Sequence, residues 1–431
     1  MNDWRSVYQD KIVSADQAVE NIKTGHRVVI GHACGEPPAL IEALVNRAPE
    51  VNNVEIVHMV AMGPAKYAQP ELEKSFRHNG LFIGAPTRKA LEEKRADYTP
   101  CFFSEIPRLF KDNSLPVDVA LIQLTPPDEQ GFCSFGISVD YTQAAAECAQ
   151  LVIAQMNNNM PRTGGSKIHL DELDFIVEKD EPLIELKPPK IGEVEKAIGE
   201  NVATLVQDGA TLQLGIGAIP DAVLLFLNDK KDLGIHSEMF SDGVVALAEA
   251  GVITNKKKSI NPGKFIATFL MGTRKLYDFV DNNPDVVILP VNYVNDPYVI
   301  GQHENMVSIN SAIQVDLMGQ VNAEMIGSRQ FSAVGGQVDF VRGASRSLKG
   351  ISIIALPATA SGGKISRITC DLDRGAAVTT SRNDVQYVVT EYGIVNLRGK
   401  CLRERAEALI SISHPDFRTG LINDAKEKGI L

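Results

Sequence analysis

The sequence predicts an α/β protein built from two related open α/β domains. Short apolar runs alternate with amphipathic stretches along the whole chain, and such alternation favours largely parallel sheets. With 431 residues, the chain is too long for one ordinary domain. The clearest predicted strands are 27–31, 117–124, 151–155, 286–290, 351–356 and 385–390, and the clearest helices are 39–47 and 402–412.

A charged, proline-containing segment predicts the domain boundary. Residues 178–195 carry three prolines among acidic and basic residues. Proline fixes φ and removes a backbone donor, so this segment is expected to be an extended linker. We therefore predict an N-terminal α/β domain over 1–189 and a C-terminal α/β domain over 190–431.

The two predicted domains begin alike. In both 23–37 and 207–221, a turn glycine precedes a strand, a second glycine ends the strand, and a proline opens a helix. Proline suits the first helical turn because its missing N–H would be unbonded there. Two related domains are the favoured interpretation, and chance similarity between two strand–helix units is the alternative.

Composition and charge exclude several classes of protein. The net charge is -11, from 43 basic and 54 acidic residues, which argues against a nucleic-acid-binding protein. No apolar run is long enough for a membrane span, and the N-terminus does not resemble a secretory signal. The six cysteines lack C-x-x-C spacing and the histidines lack a metal-binding spacing, so we expect reduced thiols in the cytoplasm and no metal.

A glycine-containing loop follows the predicted strand at 211–214 and opens a helix. Glycines let a ligand approach the backbone, and a helix N-terminus offers N–H groups to an anion. A dinucleotide-binding fingerprint is the alternative, with Glu238 at the position of the ribose-binding acid. However, Pro220 replaces the third glycine of that fingerprint. The loop comprises Gln213, Leu214, Gly215, Ile216 and Gly217.

Glu238 lies where an apolar run ends in a polar cluster, within 234–243. Open α/β sheets place ligands at the carboxyl ends of their strands, and a carboxylate is a recognised covalent catalyst. Glu238 is therefore a candidate nucleophile or general base. The alternative is a surface glutamate that caps the next helix.

Paired glycines at Gly335 and Gly336 stand between apolar stretches. They predict either an oxyanion hole of bare N–H groups or an ordinary tight turn. A further turn contains Gly363 and Lys364, and the basic stretch 256–258 is interpreted as a solvated helix end.

Taken together, these stretches resemble the family I CoA-transferases, in the acetyl-CoA hydrolase/transferase group. The resemblance extends over nearly the whole chain in family order. The stretches that carry it are PPDEQGFCSFG, LQLGIGAIPDAV, LGIHSEMFSDGVV, FLMGT, QVDLMGQ, GGQVDFVRGA, RGAAVTTSRNDVQYVVTEYGI and SHPDF.

The resemblance implies two domains of CoA-transferase type with the active site between them. It implies that Glu238 attacks an acyl-CoA, passes through an anhydride and forms a glutamyl-CoA thioester. Gly336 would donate to the oxyanion, and Asn310 would be an active-site amide. The loop 31–37 would shape the acyl pocket, and the residues expected to bind CoA are Gln213 to Gly217, Gly335 and Lys364.

The same resemblance implies substrates and partners. CoA thioester would be a co-substrate, with no permanently bound cofactor. We expect acetyl-CoA as donor and 4-hydroxybutyrate as the favoured short-chain acid. Alternatives are a butyryl-CoA or similar acyl-CoA:acetate transferase, an acyl-CoA hydrolase and, of another class, an NAD enzyme or non-catalytic nucleotide-binding protein. A homodimer or larger homo-oligomer is also expected.

Overall fold

The structure is a computed structural model that describes residues 4–431. The expectation about the N-terminal signal rests partly on residues 1–3, which lie outside the described residues. Within residues 4–431, no helix is long and apolar enough to cross a bilayer, and no group of three or more His, Cys, Asp or Glu side chains could hold a metal ion.

The strands within residues 4–431 are short, and many are buried. In chain order they are β1 Arg27–Ile30, β2 Val54–His58, β3 Phe76–Gly80, β4 Ala96–Tyr98, β5 Val119–Leu124, β6 Phe132–Ser134, β7 Leu151–Met156, β8 Gly164–Gly165, β9 Lys167–His169, β10 Phe175–Glu178, β11 Thr211–Leu214, β12 Gly234–Ile235, β13 Met239–Phe240, β14 Phe265–Ala267, β15 Phe269–Leu270, β16 Val286–Ile288, β17 Met306–Ser311, β18 Gln314–Asp316, β19 Val321–Asn322, β20 Met325–Ile326, β21 Arg329–Gln330, β22 Ile351–Ala355, β23 Thr359–Ala360, β24 Ile365–Ser366, β25 Ile368–Thr369, β26 Tyr387–Thr390 and β27 Gly393–Asn396.

Helices separate the strands in most of the chain. They are α1 Trp4–Val7, α2 Ala15–Val19, α3 Pro38–Asn46, α4 Ala85–Glu92, α5 Ile106–Lys111, α6 Thr142–Cys148, α7 Glu193–Ala203, α8 Ala218–Leu225, α9 Asp242–Glu249, α10 Arg274–Val280, α11 Val291–Val294, α12 Pro297–Ile300, α13 Gln337–Arg346, α14 Leu402–Ser411 and α15 Pro415–Glu427. The predicted alternation of strands and helices is therefore confirmed, as is each of the strands and helices singled out from the sequence.

The chain folds into two compact units. The first contains the residues up to Leu186 together with Ile266–Tyr293, and the second contains Lys187–Phe265 and Val294–Leu431. Within the predicted linker 178–195, residues 179–192 contain no helix or strand, whereas Glu178 ends β10 and residues 193–195 begin α7.

The prediction of one division, between residues 189 and 190, differs from these units at Ile266–Tyr293. That segment belongs to the first unit because its backbone forms hydrogen bonds with strands and loops of that unit. Strand β16 pairs in parallel with β8, and the Leu270 N–H donates to the Ile137 carbonyl over 2.9 Å. An apolar strand such as β16 does not show in its sequence which unit it joins.

The first unit is built on a seven-stranded sheet in the order β10-β7-β5-β1-β2-β3-β4. All of its neighbouring strands are parallel. Every residue of the interior strand β5 is buried, which is typical of a parallel sheet covered on both faces. Its apolar core includes Val28, Ile56 and Leu121, which are fully buried.

The second unit has its own mainly parallel sheet. Strands β11, β17, β22 and β26 lie side by side in parallel, and β27 pairs with β26 in antiparallel fashion. A glycine with positive φ precedes the first strand of each unit: Gly25 has φ 82° and Gly209 has φ 74°. The predicted order of turn, strand and helix is therefore present at the beginning of both units. That the active site lies between the two domains stays a prediction.

Candidate active site

Glu238 lies at a sharp bend of the chain in the second unit. Strand β12, before the bend, pairs with β11 in parallel, and β13, after it, pairs with the end of the same strand in antiparallel fashion. The Ser237 hydroxyl accepts a hydrogen bond from the Leu214 N–H over 3.2 Å and so fixes the bend to β11. Glu238 is only half-buried and lies outside α9, which begins at Asp242. It therefore projects from an anchored bend and does not cap the next helix.

The carboxylate of Glu238 lies directly against Gly336. A Cβ built on Gly336 would be 3.0 Å from Glu238 Cδ and would overlap both Glu238 Oε2 and the side-chain nitrogen of Asn295. Gly336 is also the N-cap of α13, where the helix dipole favours negative charge. The paired-glycine stretch thus provides a backbone surface on which an anion rests, and Gly335, with φ 54°, turns the chain into it.

Asn295 holds the same carboxylate oxygen that lies against Gly336. Its Nδ2 donates to Glu238 Oε2 over 3.0 Å and lies 3.5 Å from Asp339 Oδ2, in the first turn of α13. Asn295 is fully buried. A hydrogen bond from a neutral donor to a charged acceptor contributes about 1.5–3 kcal/mol. The amide therefore fixes the position of Glu238 Oε2.

These groups can support attack by a carboxylate on an activated carbonyl. A carboxylate is a poor nucleophile in water, so it must be oriented and partly dehydrated. Glu238 has both conditions, because its oxygen is held between an amide and a glycine backbone. Backbone and amide N–H groups next to a nucleophile can stabilise the oxyanion that the attack creates.

Gln213 and Asn310 form a separate pair of amides. Gln213 Nε2 donates to Asn310 Oδ1 over 3.2 Å, and Asn310 Nδ2 donates back to Gln213 Oε1 over 3.0 Å. The Ser308 hydroxyl also donates to Gln213 Oε1, over 2.7 Å. The structure therefore brings two predicted site residues together, but the amide that contacts Glu238 is Asn295. The role of Asn310 as an active-site amide stays a prediction.

The rest of the glycine loop leads from β11 into α8. Leu214 is buried, Gly215 is half-buried, and Ile216 and Gly217 are exposed. Gly217 is the N-cap of α8 and has φ 116°, in the region that favours glycine. This geometry leaves the backbone of the loop tip open to a ligand, as the CoA-binding prediction requires.

Lys364 and the basic stretch 256–258 differ in how far their lysines are exposed to solvent. Lys364 is exposed in the hairpin turn between β23 and β24, and its proposed contact with CoA stays a prediction. In 256–258, Lys256 and Lys257 are exposed. Lys258 is buried and donates to the carbonyls of Ile235 and Lys264, and α9 ends at Glu249, before this stretch begins. The interpretation as a solvated helix end is therefore wrong: Lys256 and Lys257 are exposed but lie in a loop, and Lys258 is not solvated.

The loop 31–37 of the first unit encloses a buried carboxyl group. Glu36 accepts hydrogen bonds from the N–H groups of Met62 (3.1 Å) and Gly63 (2.9 Å). Burial nevertheless raises the pKa of Glu36 to about 7. The side chain lines a cleft, next to Ile41 and Tyr67. A titratable group at a cleft is a candidate for ligand recognition.

Sequence reasoning missed Asn295. It follows β16 and the short helix α11, and residues beyond the end of a strand are candidate ligand contacts in α/β folds. That rule could have identified it. The sequence could not distinguish it from Asn310, because which asparagine meets Glu238 depends on the path of the chain after β16.

Comparison with known proteins agrees with this geometry. The acetyl-CoA hydrolase/transferase N-terminal domain matches residues 1–186, and the C-terminal domain of the same name matches residues 272–425. The chain belongs to the acetyl-CoA hydrolase/transferase family. The predicted family membership, the two-domain α/β fold and the prediction of a CoA-transferase are thereby confirmed.

Individual members of the acetyl-CoA hydrolase/transferase family resemble the chain over nearly its whole length. The chain is 62% identical to the 4-hydroxybutyrate coenzyme A transferase of Clostridium kluyveri, over 99% of this chain and 100% of the relative. It is 40% identical to the butyryl-CoA:acetate CoA-transferase of Anaerostipes caccae, over 99% of this chain and 98% of that protein. The crystal structure of 4-hydroxybutyrate CoA-transferase from Porphyromonas gingivalis matches with a TM-score of 0.85 and 44% identity, covering 99% and 100% of the two chains.

A methyl group at position 336 should abolish activity without unfolding the protein. In Gly336→Ala, the new Cβ displaces the Glu238 carboxylate, so we expect the turnover number for CoA transfer to fall at least about 100-fold. The control is Gly420→Ala within α15, where a Cβ meets nothing within 4 Å; it should keep wild-type turnover. Turnover and melting temperature are measured for both, and a fully active Gly336→Ala would contradict the geometry.

The two asparagines should respond differently to substitution. Asn295→Ala removes the donor to Glu238 and should slow the reaction of enzyme with acyl-CoA by about 100- to 1,000-fold. Asn310→Ala removes the partner of Gln213 and should mainly weaken CoA binding. Stopped-flow rates and CoA titrations distinguish the two effects. A larger loss of rate in Asn310→Ala than in Asn295→Ala would return Asn310 to the role predicted from the sequence.

Proposed function

We propose that the protein transfers CoA from an acyl-CoA to a short-chain carboxylate through covalent attachment to Glu238. The observation that carries this proposal is the Glu238 carboxylate held between Asn295 and the bare backbone of Gly336. The family match supports it, and so do relatives that are named as transferases of CoA between carboxylic acids.

The proposed reaction has two halves that mirror each other. A Glu238 oxygen attacks the thioester carbonyl of acyl-CoA, and CoA leaves as a thiolate, giving an acyl-glutamyl anhydride. The thiolate then attacks the glutamyl carbonyl, which releases the first acid and leaves a glutamyl-CoA thioester. The second acid reverses these steps, so the kinetics are ping-pong. Each half exchanges a thioester for a carboxylate, so the overall reaction is near thermoneutral.

Asn295 and Gly336 have complementary roles in this proposal. The N–H groups near the carboxylate stabilise the tetrahedral oxyanion of each step, and one such donor is worth about 3 kcal/mol in other enzymes. CoA binding far from the reacting bond supplies energy to strain the glutamyl adduct. The loop from Gln213 to Gly217, together with Gly335 and Lys364, is proposed to hold CoA as a co-substrate, with no permanently bound cofactor.

The favoured substrates are 4-hydroxybutyrate as acceptor and acetyl-CoA as donor. The similarity to two 4-hydroxybutyrate CoA-transferases, at 62% and 44% identity, supports this acid. A butyryl-CoA:acetate transferase is the second candidate, supported by the 40% identical relative. One methylene in a pocket discriminates by only about 1–3 kcal/mol. We also propose that the loop 31–37 shapes the acyl pocket and that the enzyme is a cytoplasmic homodimer or larger homo-oligomer.

Acyl-CoA alone should leave CoA attached to Glu238. Without an acceptor, the first half-reaction stops at the thioester, so borohydride should convert the Glu238 side chain to an alcohol that peptide mass spectrometry detects. Glu238→Gln should keep CoA binding and lose both transfer and the reduced peptide. Transfer that persists in Glu238→Gln would exclude this residue as nucleophile.

The acceptor acid and the hydrolase alternative are tested with the same enzyme. The enzyme is incubated with acetyl-CoA, either without an acid or with acetate, butyrate, 4-hydroxybutyrate or succinate as acceptor. Free thiol and newly formed acyl-CoA are both measured. A transferase forms a new acyl-CoA only with a matching acid and releases little free thiol. Thiol release at the same rate with and without acids would support a hydrolase instead.

A further inference from the structure

His236 lies two residues before the candidate nucleophile Glu238, in the same bend between β12 and β13. Its side chain is fully buried, and its Nε2 is 2.8 Å from the carbonyl oxygen of Val294. Val294 directly precedes Asn295, and His236 lies two residues before Glu238. Two hydrogen bonds therefore join the same two segments: one from His236 to Val294, and one from Asn295 to Glu238.

The His236 ring also contacts the helix that begins at Gly336. It packs edge-on against Phe340 of α13, with ring centroids 6.3 Å apart, and lies tilted against His303, with ring centroids 4.6 Å apart. The ring thus touches the segments that carry Asn295 and Gly336 while belonging to the segment that carries Glu238. A shift of this ring would move the three groups relative to one another.

The imidazole is neutral and its orientation is fixed. Burial, and secondarily the charge of Lys258, lower the pKa of His236 to about 3. A neutral imidazole carries one N–H, and an attractive contact with a carbonyl oxygen requires that proton on Nε2. The ring is therefore a fixed donor to Val294 and not a general base.

The backbone on the other side of the ring is held as well. Lys258 Nζ donates to the carbonyl of Ile235, the residue before His236, over 2.7 Å, and to the carbonyl of Lys264 over 2.6 Å. The Ile235 N–H donates to Asn255 Oδ1 over 2.8 Å. The strand that leads to Glu238 therefore has little freedom, and the His236 bond transfers that rigidity to Val294 and Asn295.

We propose that His236 is a positioning residue, whose Nε2–H bond to the Val294 carbonyl keeps the Asn295 amide in register with the Glu238 carboxylate. This inference rests on the proposed role of Glu238 as nucleophile. It predicts that losing the bond slows the chemical step and leaves CoA binding intact, because the ligand-facing groups remain while their alignment is lost.

The test compares five variants of the full-length enzyme, of which Glu238→Gln is the control for the nucleophile itself. His236→Phe keeps an aromatic ring without a donor, His236→Gln keeps an N–H that can reach Val294, and His236→Asn keeps an amide on a side chain one carbon shorter. His303→Phe is the matched control, because it makes the same change in the neighbouring buried ring. Measured quantities are the rate of glutamyl-thioester formation at saturating acyl-CoA, the CoA dissociation constant and the melting temperature.

We expect His236→Phe and His236→Asn to form the thioester about 10- to 100-fold more slowly, with CoA dissociation constants within about twofold of wild type. His236→Gln should recover most of the rate, and His303→Phe should stay close to wild type. If His236→Phe does not fold, the contrast between Gln and Asn carries the test.

Equal rates in the Gln and Asn variants, or an equal loss in His303→Phe, would overturn the positioning role. Losses that follow the melting temperature would do the same. Glu238→Gln is included in the series because it separates the two hypotheses. If that variant still forms the product, the proposed nucleophile fails, whatever the His236 variants show.

Discussion

The missing side chain at position 336 is the constraint on which the candidate site depends. Because Gly336 has no Cβ, the Glu238 carboxylate can rest on the first backbone atoms of α13, where a methyl group would overlap its oxygen. The carboxylate is then close enough to the helix N-terminus for N–H groups to face a charge that develops on a bound carbonyl. Any residue larger than glycine would separate the nucleophile from these donors.

The surrounding fold keeps that approach in place. A chain that changes from parallel to antiparallel pairing with β11 presents Glu238 at its bend, and Asn295 donates to the carboxylate oxygen that lies against Gly336. Many of the groups around the bend are buried and hydrogen-bonded, so the geometry exists before substrate arrives. Preorganisation of this kind reduces the reorganisation that would otherwise accompany the reaction.

The sequence predicted the parts of this arrangement that depend on local pattern. Apolar runs predict the strands, and the motif resemblance identifies Glu238 and Gly336, although it does not predict the contact between them. Asn295 could be identified as a candidate but not distinguished from Asn310, because its contact with Glu238 depends on how the chain passes from β16 to α11 and beyond. Sequence spacing does not predict that path. The same is true of Ile266–Tyr293, whose return to the first unit depends on pairing between β16 and β8. A run of lysines is usually exposed, whereas the side-chain nitrogen of Lys258 is buried and donates to two backbone carbonyls in place of water.

Isotope transfer gives the most direct test of whether Glu238 itself takes part in bond formation. The enzyme is incubated with acyl-CoA and an acceptor acid labelled with ¹⁸O in its carboxylate. It is then digested, and the mass of the peptide that contains Glu238 is measured by mass spectrometry. Passage through a glutamyl anhydride predicts that one acceptor oxygen remains on the Glu238 side chain after each transfer, so the peptide becomes heavier with turnover. Labelled product together with an unlabelled Glu238 peptide would mean that the acids exchange CoA without bonding to this carboxylate, and would contradict the account.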